Sequence, residues 1–162
     1  MKRLESIWST TADMPEYPAL FGDLTTGAAV IGGGMAGILT AYFLQRRGVE
    51  TVVLEAGRIG GGQTKNTTAK ITSQHNLIYH KLIRDFGSEK ARQYAGASQQ
   101  AIGEYRRAVE ENRIDCRFEE CPAYLYSARA EDVPALERET AAAQRLGIGA
   151  SFTGRTALPF PV

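Results

Sequence analysis

The feature that most constrains the fold is a glycine-rich motif near the start of the chain, Gly32-Gly33-Gly34-Met35-Ala36-Gly37. An apolar run over residues 28–31 precedes this motif, and a helical pattern up to Arg47 follows it. A second apolar run, over residues 51–54, ends in Glu55. This order predicts an α/β arrangement in which a strand, a tight glycine turn, a helix and a parallel second strand form a βαβ unit.

Gly32, Gly34 and Gly37 fit the pattern G-x-G-x-x-G, in which each glycine has its own physical role. The first permits a tight turn, the second lets a pyrophosphate approach the backbone, and the third allows the helix to pack closely on the strand. A pyrophosphate placed there would meet unpaired N–H groups and the positive end of the helix dipole. Three glycines alone are weak evidence, but the flanking strand and helix patterns favour a dinucleotide site over an ordinary βαβ turn.

Glu55 follows Gly34 by roughly the 20 residues at which a carboxylate at the end of the second strand binds ribose hydroxyls. A carboxylate there would also repel a 2′-phosphate. The next segment, residues 56–70, is rich in glycine and in hydroxyl side chains, which predicts a loop. Beside a dinucleotide, this loop could bring backbone N–H groups and threonine hydroxyls to the phosphates. The alternative is a surface loop without a ligand.

Beyond residue 74 the pattern changes from α/β to helices. Helices are predicted over residues 77–86 and 88–112, and a further helix is predicted to begin at Asp132. Between them, residues 116–120 and 123–127 form two strand-like runs separated by a Cys-Pro pair. These runs predict an antiparallel hairpin.

The expected organisation has three parts, which are an N-terminal arm over residues 1–27, a dinucleotide-binding segment over 28–74 and a helix-and-hairpin segment over 75–162. The arm has little periodicity, and we expect aromatic side chains such as Trp8 and Phe21 to pin it to a surface. A partly ordered terminus is the alternative for this stretch.

Composition argues against several classes of function. The 162 residues include 19 basic and 18 acidic side chains, so a net charge of +1 gives no basic field for nucleic acid or an anionic membrane. No apolar run approaches the roughly 20 residues of a membrane-spanning helix, so a soluble cytoplasmic protein is expected. The two cysteines and two histidines fit no metal or iron–sulfur ligand pattern, and no metal site is expected.

Three motifs carry a resemblance to a known family: residues 30–37, residues 54–62 and Asn66-Thr67-Thr68-Ala69. On these motifs, the chain resembles the N-terminal part of a flavoprotein of the D-amino-acid oxidase superfamily. From Ser6-Ile7-Trp8 to Pro159-Phe160-Pro161-Val162 it is more closely similar to bacterial FAD-dependent oxidoreductases that carry a C-terminal Rieske domain. The third motif lies in the loop over residues 56–70, called here the glycine-threonine loop, and it favours this superfamily over other FAD and NAD enzymes.

The resemblance implies a Rossmann-like FAD/NAD(P)-binding fold with FAD as the cofactor. In that superfamily the glycine motif holds the pyrophosphate, the acid after the second strand holds the adenosine ribose, and the following loop runs towards the flavin. Carried over to this sequence in that order, these roles fall on Gly32, Gly34, Met35, Ala36, Glu55, Ala56, Arg58, Thr64, Thr67, Thr68 and Ala69. No catalytic residue is assigned.

The resemblance also implies an N-terminal fragment, because members of the superfamily complete the FAD and substrate domains with later segments. It implies a small amine, amino acid or hydroxy compound as substrate, with an electron-transfer partner or Rieske module. A [2Fe-2S] cluster would then lie beyond Val162. Two alternatives stay open. One is an NAD-dependent Rossmann dehydrogenase, which Glu55 also permits, and the other is a catalytically silent nucleotide-binding or interaction fragment.

Overall fold

The computed structural model of the chain describes residues 6–156, 158 and 159. The chain divides into two compact units, Met1–Lys70 and Ile71–Val162, close to the predicted boundary after residue 74. Residues 1–5 belong to the predicted arm, and residues 157 and 160–162 belong to the predicted C-terminal segment. Those parts of the two predictions lie outside the described residues.

The first unit contains the expected βαβ arrangement after a short N-terminal helix. Its elements are α1 (Ile7–Thr11), β1 (Ala28–Ile31), α2 (Met35–Gln45) and β2 (Thr51–Leu54). The two strands pair in parallel, with Ala28 opposite Thr51, and α2 packs on both of them. The parallel pair requires a crossover connection, and α2 supplies it.

Glycine ends α2 as its position in the sequence predicts. Gly48 has a φ of +76°, a left-handed conformation that glycine adopts without strain. Its N–H donates to the carbonyl oxygen of Gln45 at 2.9 Å, and the N–H of Val49 donates to that of Leu44 at 3.1 Å. These bonds satisfy carbonyl groups at the end of the helix and turn the chain towards β2.

The N-terminal arm differs in part from its prediction. Residues 7–11 form α1, and the hydroxyl of Ser6 caps this helix by accepting the N–H of Ser9 at 3.3 Å. Trp8 anchors the arm through a hydrogen bond from its indole to the carbonyl oxygen of Thr67. Phe21, in contrast, is fully exposed, so only one of the two aromatic side chains pins the arm as expected.

The second unit is built on α3 (Tyr79–Glu111) and α4 (Val133–Arg145). Gly87 interrupts α3 with a φ of +80° and a ψ of 163°, at the position where the sequence predicts one helix to end and another to begin. The buried core of this unit consists of Tyr79, Ala91, Ala95, Ala142, Ala143 and Leu146. Alanine at the contact between two helices allows a short distance between their axes.

The predicted hairpin over residues 116–127 is wrong. Within residues 6–156, only β1 and β2 are strands, and both runs of the expected hairpin are irregular and mostly exposed. Pro122 lies at the expected turn, where its fixed φ is incompatible with the positive φ values of tight hairpin turns. An isolated two-stranded hairpin is also marginally stable in water, so strand-like residues alone do not produce one.

A buried carboxylate organises the start of α3. Glu139 of α4 is only 3% exposed, and one of its oxygens accepts the N–H groups of Ile78 and Tyr79 at 2.9 and 2.8 Å. The same oxygen accepts the amide of Gln74 at 3.0 Å, and the other oxygen accepts the N–H of His80 at 2.9 Å. Because the first N–H groups of a helix have no partner inside it, Glu139 acts as a cap supplied by another helix.

Glu139→Ala should lower the free energy of unfolding by about 2 to 5 kcal/mol, because several buried N–H groups lose a charged acceptor. Glu139→Gln keeps one carbonyl oxygen as an acceptor, so its free energy of unfolding should fall by less than that of Glu139→Ala. Urea denaturation followed by circular dichroism measures both effects. Glu137→Ala, at an exposed position of the same helix, is the matched control and should change stability by less than about 0.5 kcal/mol. Equal losses in the two alanine variants would contradict the capping role.

Candidate dinucleotide-binding site

The glycine turn joins the end of β1 to the start of α2. Gly32 has a φ of +100°, and its N–H donates to the carbonyl oxygen of Leu54 at 2.7 Å. Gly34 is extended and forms the N-cap of α2. A Cβ atom at Gly37 would lie 1.9 Å from the carbonyl oxygen of Gly32, so only glycine permits this approach of the helix to the turn.

The start of α2 lies next to the glycine-threonine loop. The N–H of Met35, the first residue of the helix, donates to the hydroxyl oxygen of Thr64 at 3.0 Å. A Cβ atom at Gly34 would lie 3.6 Å from the same oxygen. Ala36, the second residue of the helix, is exposed. The structure therefore brings Gly34, Met35 and Thr64 together, although the loop and the helix are distant in sequence.

Glu55 follows β2 and bridges the glycine turn and the next loop. The N–H of Gly33 donates to one carboxylate oxygen at 2.7 Å, and the N–H of Gly57 donates to the other at 2.8 Å. These bonds hold the pKa of Glu55 below its ordinary value, and the bond from Gly33 has the larger effect. The N–H of Ala56 lowers the pKa as well. An ionised carboxylate has about four acceptor sites, so the exposed Glu55 retains capacity for further hydrogen bonds.

The threonines of the loop are held by one another. Residues Gln63–Asn66 form a 3-10 turn, and the hydroxyl of Thr67 donates to the carbonyl oxygen of Thr64 at 3.2 Å. Ala69 has a φ of +54°, and its N–H donates to the hydroxyl of Thr67 at 3.4 Å. Three of the four predicted residues in this part of the loop thus form one hydrogen-bonded group.

The other predicted site residues lie outside this group. Arg58 is exposed and forms an ion pair with Glu16 of the N-terminal arm. Thr68 is exposed and makes no hydrogen bond to another predicted site residue. Ala56 is also exposed, and its backbone rather than its side chain interacts with Glu55.

Gly33 and Gly60 belong to the site but were not predicted. Gly33 is buried, and a Cβ atom there would lie 3.0 Å from Cγ1 of Ile59 and 3.1 Å from Cβ of Glu55. Its carbonyl oxygen accepts the N–H of Gly60 at 2.8 Å, and Gly60 has a φ of +68°. The sequence contained a signal for both glycines, because each belongs to a run of three consecutive glycines. The G-x-G-x-x-G motif does not require a glycine at either position.

Comparison with known proteins identifies the family. The family described as FAD dependent oxidoreductase (DAO) matches residues 28–159. The chain belongs to this family. The match confirms the resemblance to FAD-dependent oxidoreductases of the D-amino-acid oxidase superfamily, and through the family it supports FAD as the cofactor.

Curated relatives agree with this assignment. YhfW of Bacillus subtilis (strain 168), named as a Rieske 2Fe-2S iron-sulfur protein, is 44% identical over 144 residues, which cover 89% of this chain and 28% of YhfW. Gamma-glutamylputrescine oxidoreductase of Escherichia coli (strain K12) is 26% identical over 102 residues, 63% of this chain and 24% of the relative. OrdL of Rhizobium meliloti (strain 1021), named as an oxidoreductase, is 24% identical over 110 residues, 68% of this chain and 26% of OrdL.

The chain spans about a quarter of the length of these relatives. No solved structure matches it. The similarity to YhfW confirms the predicted resemblance to a Rieske-associated protein. In the part of the chain that the structure describes, no cluster of His, Cys, Asp and Glu could hold a metal ion, and no helix has the length and apolar character needed to cross a membrane.

Gly37→Ala should destabilise the chain by about 2 to 4 kcal/mol, because the added methyl group would overlap the carbonyl oxygen of Gly32. Gly96→Ala in α3 is the control, since no described residue outside the surrounding helix backbone lies within 4 Å of a Cβ atom there. It should stabilise the chain by about 0.5 to 1 kcal/mol through helix propensity. Urea denaturation measures both variants, and a Gly37→Ala variant as stable as the wild type would refute the close approach.

The contribution of Glu55 to stability should depend on pH in a defined direction. Because the folded state lowers the pKa of this carboxyl group, its contribution is fully present above the pKa of the unfolded chain. The contribution is lost as the pH falls through the lowered pKa of the folded state. The difference in stability between the wild type and Glu55→Gln, measured by urea denaturation, should therefore be constant near neutral pH and shrink in acid. A difference that grows with acidity would contradict the hydrogen bonds to Gly33 and Gly57.

Proposed function

We propose that the chain is the N-terminal FAD-binding portion of a flavin-dependent oxidoreductase. The observation that carries this proposal is the convergence of the glycine turn, the Glu55 carboxylate and the Thr64 hydroxyl around the start of α2. The DAO family match supports FAD as the ligand of this site. A Rossmann-like βαβ unit is the arrangement in which such residues bind the ADP half of a dinucleotide.

The residues present fit a pyrophosphate and a ribose. The pyrophosphate would accept N–H groups at Met35 and Ala36, where the helix dipole also favours negative charge. The Thr64 hydroxyl accepts the N–H of Met35. A phosphate oxygen would either replace this hydroxyl as the acceptor or accept a hydrogen bond from it. Gly34 presents no side chain towards this space. Apart from its two chain neighbours, the Thr64 hydroxyl is the one group among the described residues that lies within 4 Å of its Cβ position.

The carboxylate of Glu55 would accept the ribose hydroxyls. It is exposed, ionised and already oriented by Gly33 and Gly57, so little freedom is lost when it binds a further donor. The loop that contains Ala56, Arg58, Thr67, Thr68 and Ala69 would run from the ribose towards the flavin end. The positive φ of Ala69 is typical of a backbone that is held in place by its surroundings.

FAD, when bound, supplies the redox chemistry by accepting a hydride from the substrate. We infer a small amine, amino acid or hydroxy compound as that substrate. The name of the gamma-glutamylputrescine relative supports an amine among these classes. Residues 75–162 would contribute to the substrate or cap region. YhfW's name supports a Rieske module as the electron-transfer partner, and a [2Fe-2S] cluster would then be held outside this chain.

The test of the cofactor is the visible spectrum of the purified protein, with the cofactor released by heat and identified. A flavin spectrum and released FAD are expected. A colourless protein that releases NAD would favour the alternative of an NAD-dependent dehydrogenase, and a protein that binds neither would favour an interaction fragment. Anaerobic reduction of the bound flavin by an amine, amino acid or hydroxy compound would identify the substrate class in the full-length protein.

Glu55→Ala should weaken FAD binding by about 1.5 to 3 kcal/mol for each charge-assisted hydrogen bond lost, which is roughly 10- to 150-fold. Calorimetric titration of the apoprotein with FAD measures the change. Glu50→Ala is the matched control, because this glutamate is exposed at the other end of β2 and should leave the affinity unchanged. Unchanged affinity in the Glu55→Ala variant would mean that this carboxylate does not bind the ribose.

A further inference from the structure

Contacts from residues before β1 reach the glycine-threonine loop at several points. We propose that residues 6–23 of the N-terminal arm form a brace that holds this loop in its cofactor-binding shape, with Trp8 as the positioning residue. The inference rests on the proposed function, because FAD is the ligand assigned to the loop. The DAO match begins at residue 28, so the arm lies outside the region that the family explains.

Trp8 makes the directional contact of the brace. Its indole Nε1–H donates to the carbonyl oxygen of Thr67 at 2.7 Å, across 59 positions of sequence. The helix that carries it, α1, packs against the 3-10 turn of residues 63–66. An indole has one donor and a rigid ring, so this bond fixes both the distance and the orientation between the arm and the loop.

Hydrogen bonds connect this contact to the start of α2. Thr67 donates its hydroxyl and its N–H to the carbonyl oxygen of Thr64 at 3.2 and 3.4 Å. The hydroxyl of Thr64 accepts the N–H of Met35 at 3.0 Å. The indole of Trp8 is therefore linked through two threonines to the helix N-terminus assigned to the pyrophosphate. The position of Thr64 at that point depends on the loop shape that Trp8 fixes.

Two further contacts show how the arm runs beside the loop. Cε of Met14 would lie 3.6 Å from a Cβ atom at Gly60, and Glu16 forms an ion pair with Arg58. Together with Trp8, these contacts place later arm residues against earlier loop residues, so the two segments run in opposite directions. The ion pair is highly exposed, with 70% and 80% of the two side chains accessible, and contributes little by itself.

A brace of this kind has a physical reason in this loop. Residues 56–70 are rich in glycine, and glycine loses more backbone freedom on ordering than other residues. A loop that is already ordered by the arm binds its ligand without that entropy cost. The arm therefore acts on the affinity for the cofactor without touching the reacting atoms.

The test is Trp8→Phe in the full chain, which removes the indole donor and keeps an aromatic ring. FAD affinity should fall by about two- to tenfold, the effect of one neutral hydrogen bond. Hydrogen exchange of the backbone amides of residues 60–69, measured without cofactor, should become faster, while the amides of β1 and β2 keep their protection. Phe21→Ala, at a fully exposed position of the same arm, is the matched control and should change neither measurement.

A second, milder variant covers the case in which Trp8→Phe unfolds the chain. Ser6→Ala removes the hydroxyl that caps α1 and leaves the loop itself unaltered, and it should shift both measurements in the same direction by a smaller factor. If the wild type binds FAD while both variants keep wild-type affinity and loop exchange, the brace is refuted and the proposed function stands. If the wild type binds no FAD, the proposed function and the cofactor role of the brace fail together, whereas faster loop exchange in Trp8→Phe would still support the bracing contact.

Discussion

The first unit depends on one steric constraint, the close approach of α2 to the glycine turn. A side chain at Gly37 would collide with the carbonyl oxygen of Gly32, 1.9 Å from its Cβ position. With glycine there, α2 begins directly after the turn, and two acceptors lie beside the turn and the first residue of the helix. These acceptors are the carboxylate of Glu55 and the hydroxyl of Thr64. The position of both groups at the turn and the start of the helix is what supports our proposal of a dinucleotide site here.

The sequence allowed the βαβ unit to be predicted, together with the position of Glu55 beside the glycine turn, because both are encoded locally. A glycine motif specifies the turn, the apolar patterns specify the strands and the helix, and a fixed spacing brings Glu55 to the end of β2. The specific partners of Gly33 and Trp8 could not be predicted in the same way. Their contacts depend on the conformation of a loop of flexible residues. No local pattern predicts which carbonyl oxygen will accept a hydrogen bond from an indole 59 positions away.

In the second unit, too, local features could be predicted and contacts between distant segments could not. Its helices were predicted from periodicity and from glycines such as Gly87, which do not depend on distant partners. The hairpin prediction over residues 116–127 failed because strand pairing is a relation between two segments, and residue type describes only each segment alone. The role of Glu139 was equally hidden, since a glutamate within an amphipathic helix gives no sign that it will cap the start of another helix.

Glu55 and Glu139 perform similar chemistry in surroundings that give them different uses. Each is a carboxylate that accepts backbone N–H groups at the start of a helix or at a turn beside one. Glu139 is 3% exposed and accepts four donors from the protein itself, so both of its oxygens are hydrogen-bonded and shielded from solvent. Glu55 accepts the N–H groups of Gly33 and Gly57 at 2.7 and 2.8 Å and is exposed, so it retains lone pairs that face solvent. Hydrogen bonding to the backbone by itself therefore does not distinguish a structural carboxylate from a binding one. The exposure of its remaining lone pairs is what supports the proposal that Glu55 accepts the ribose hydroxyls.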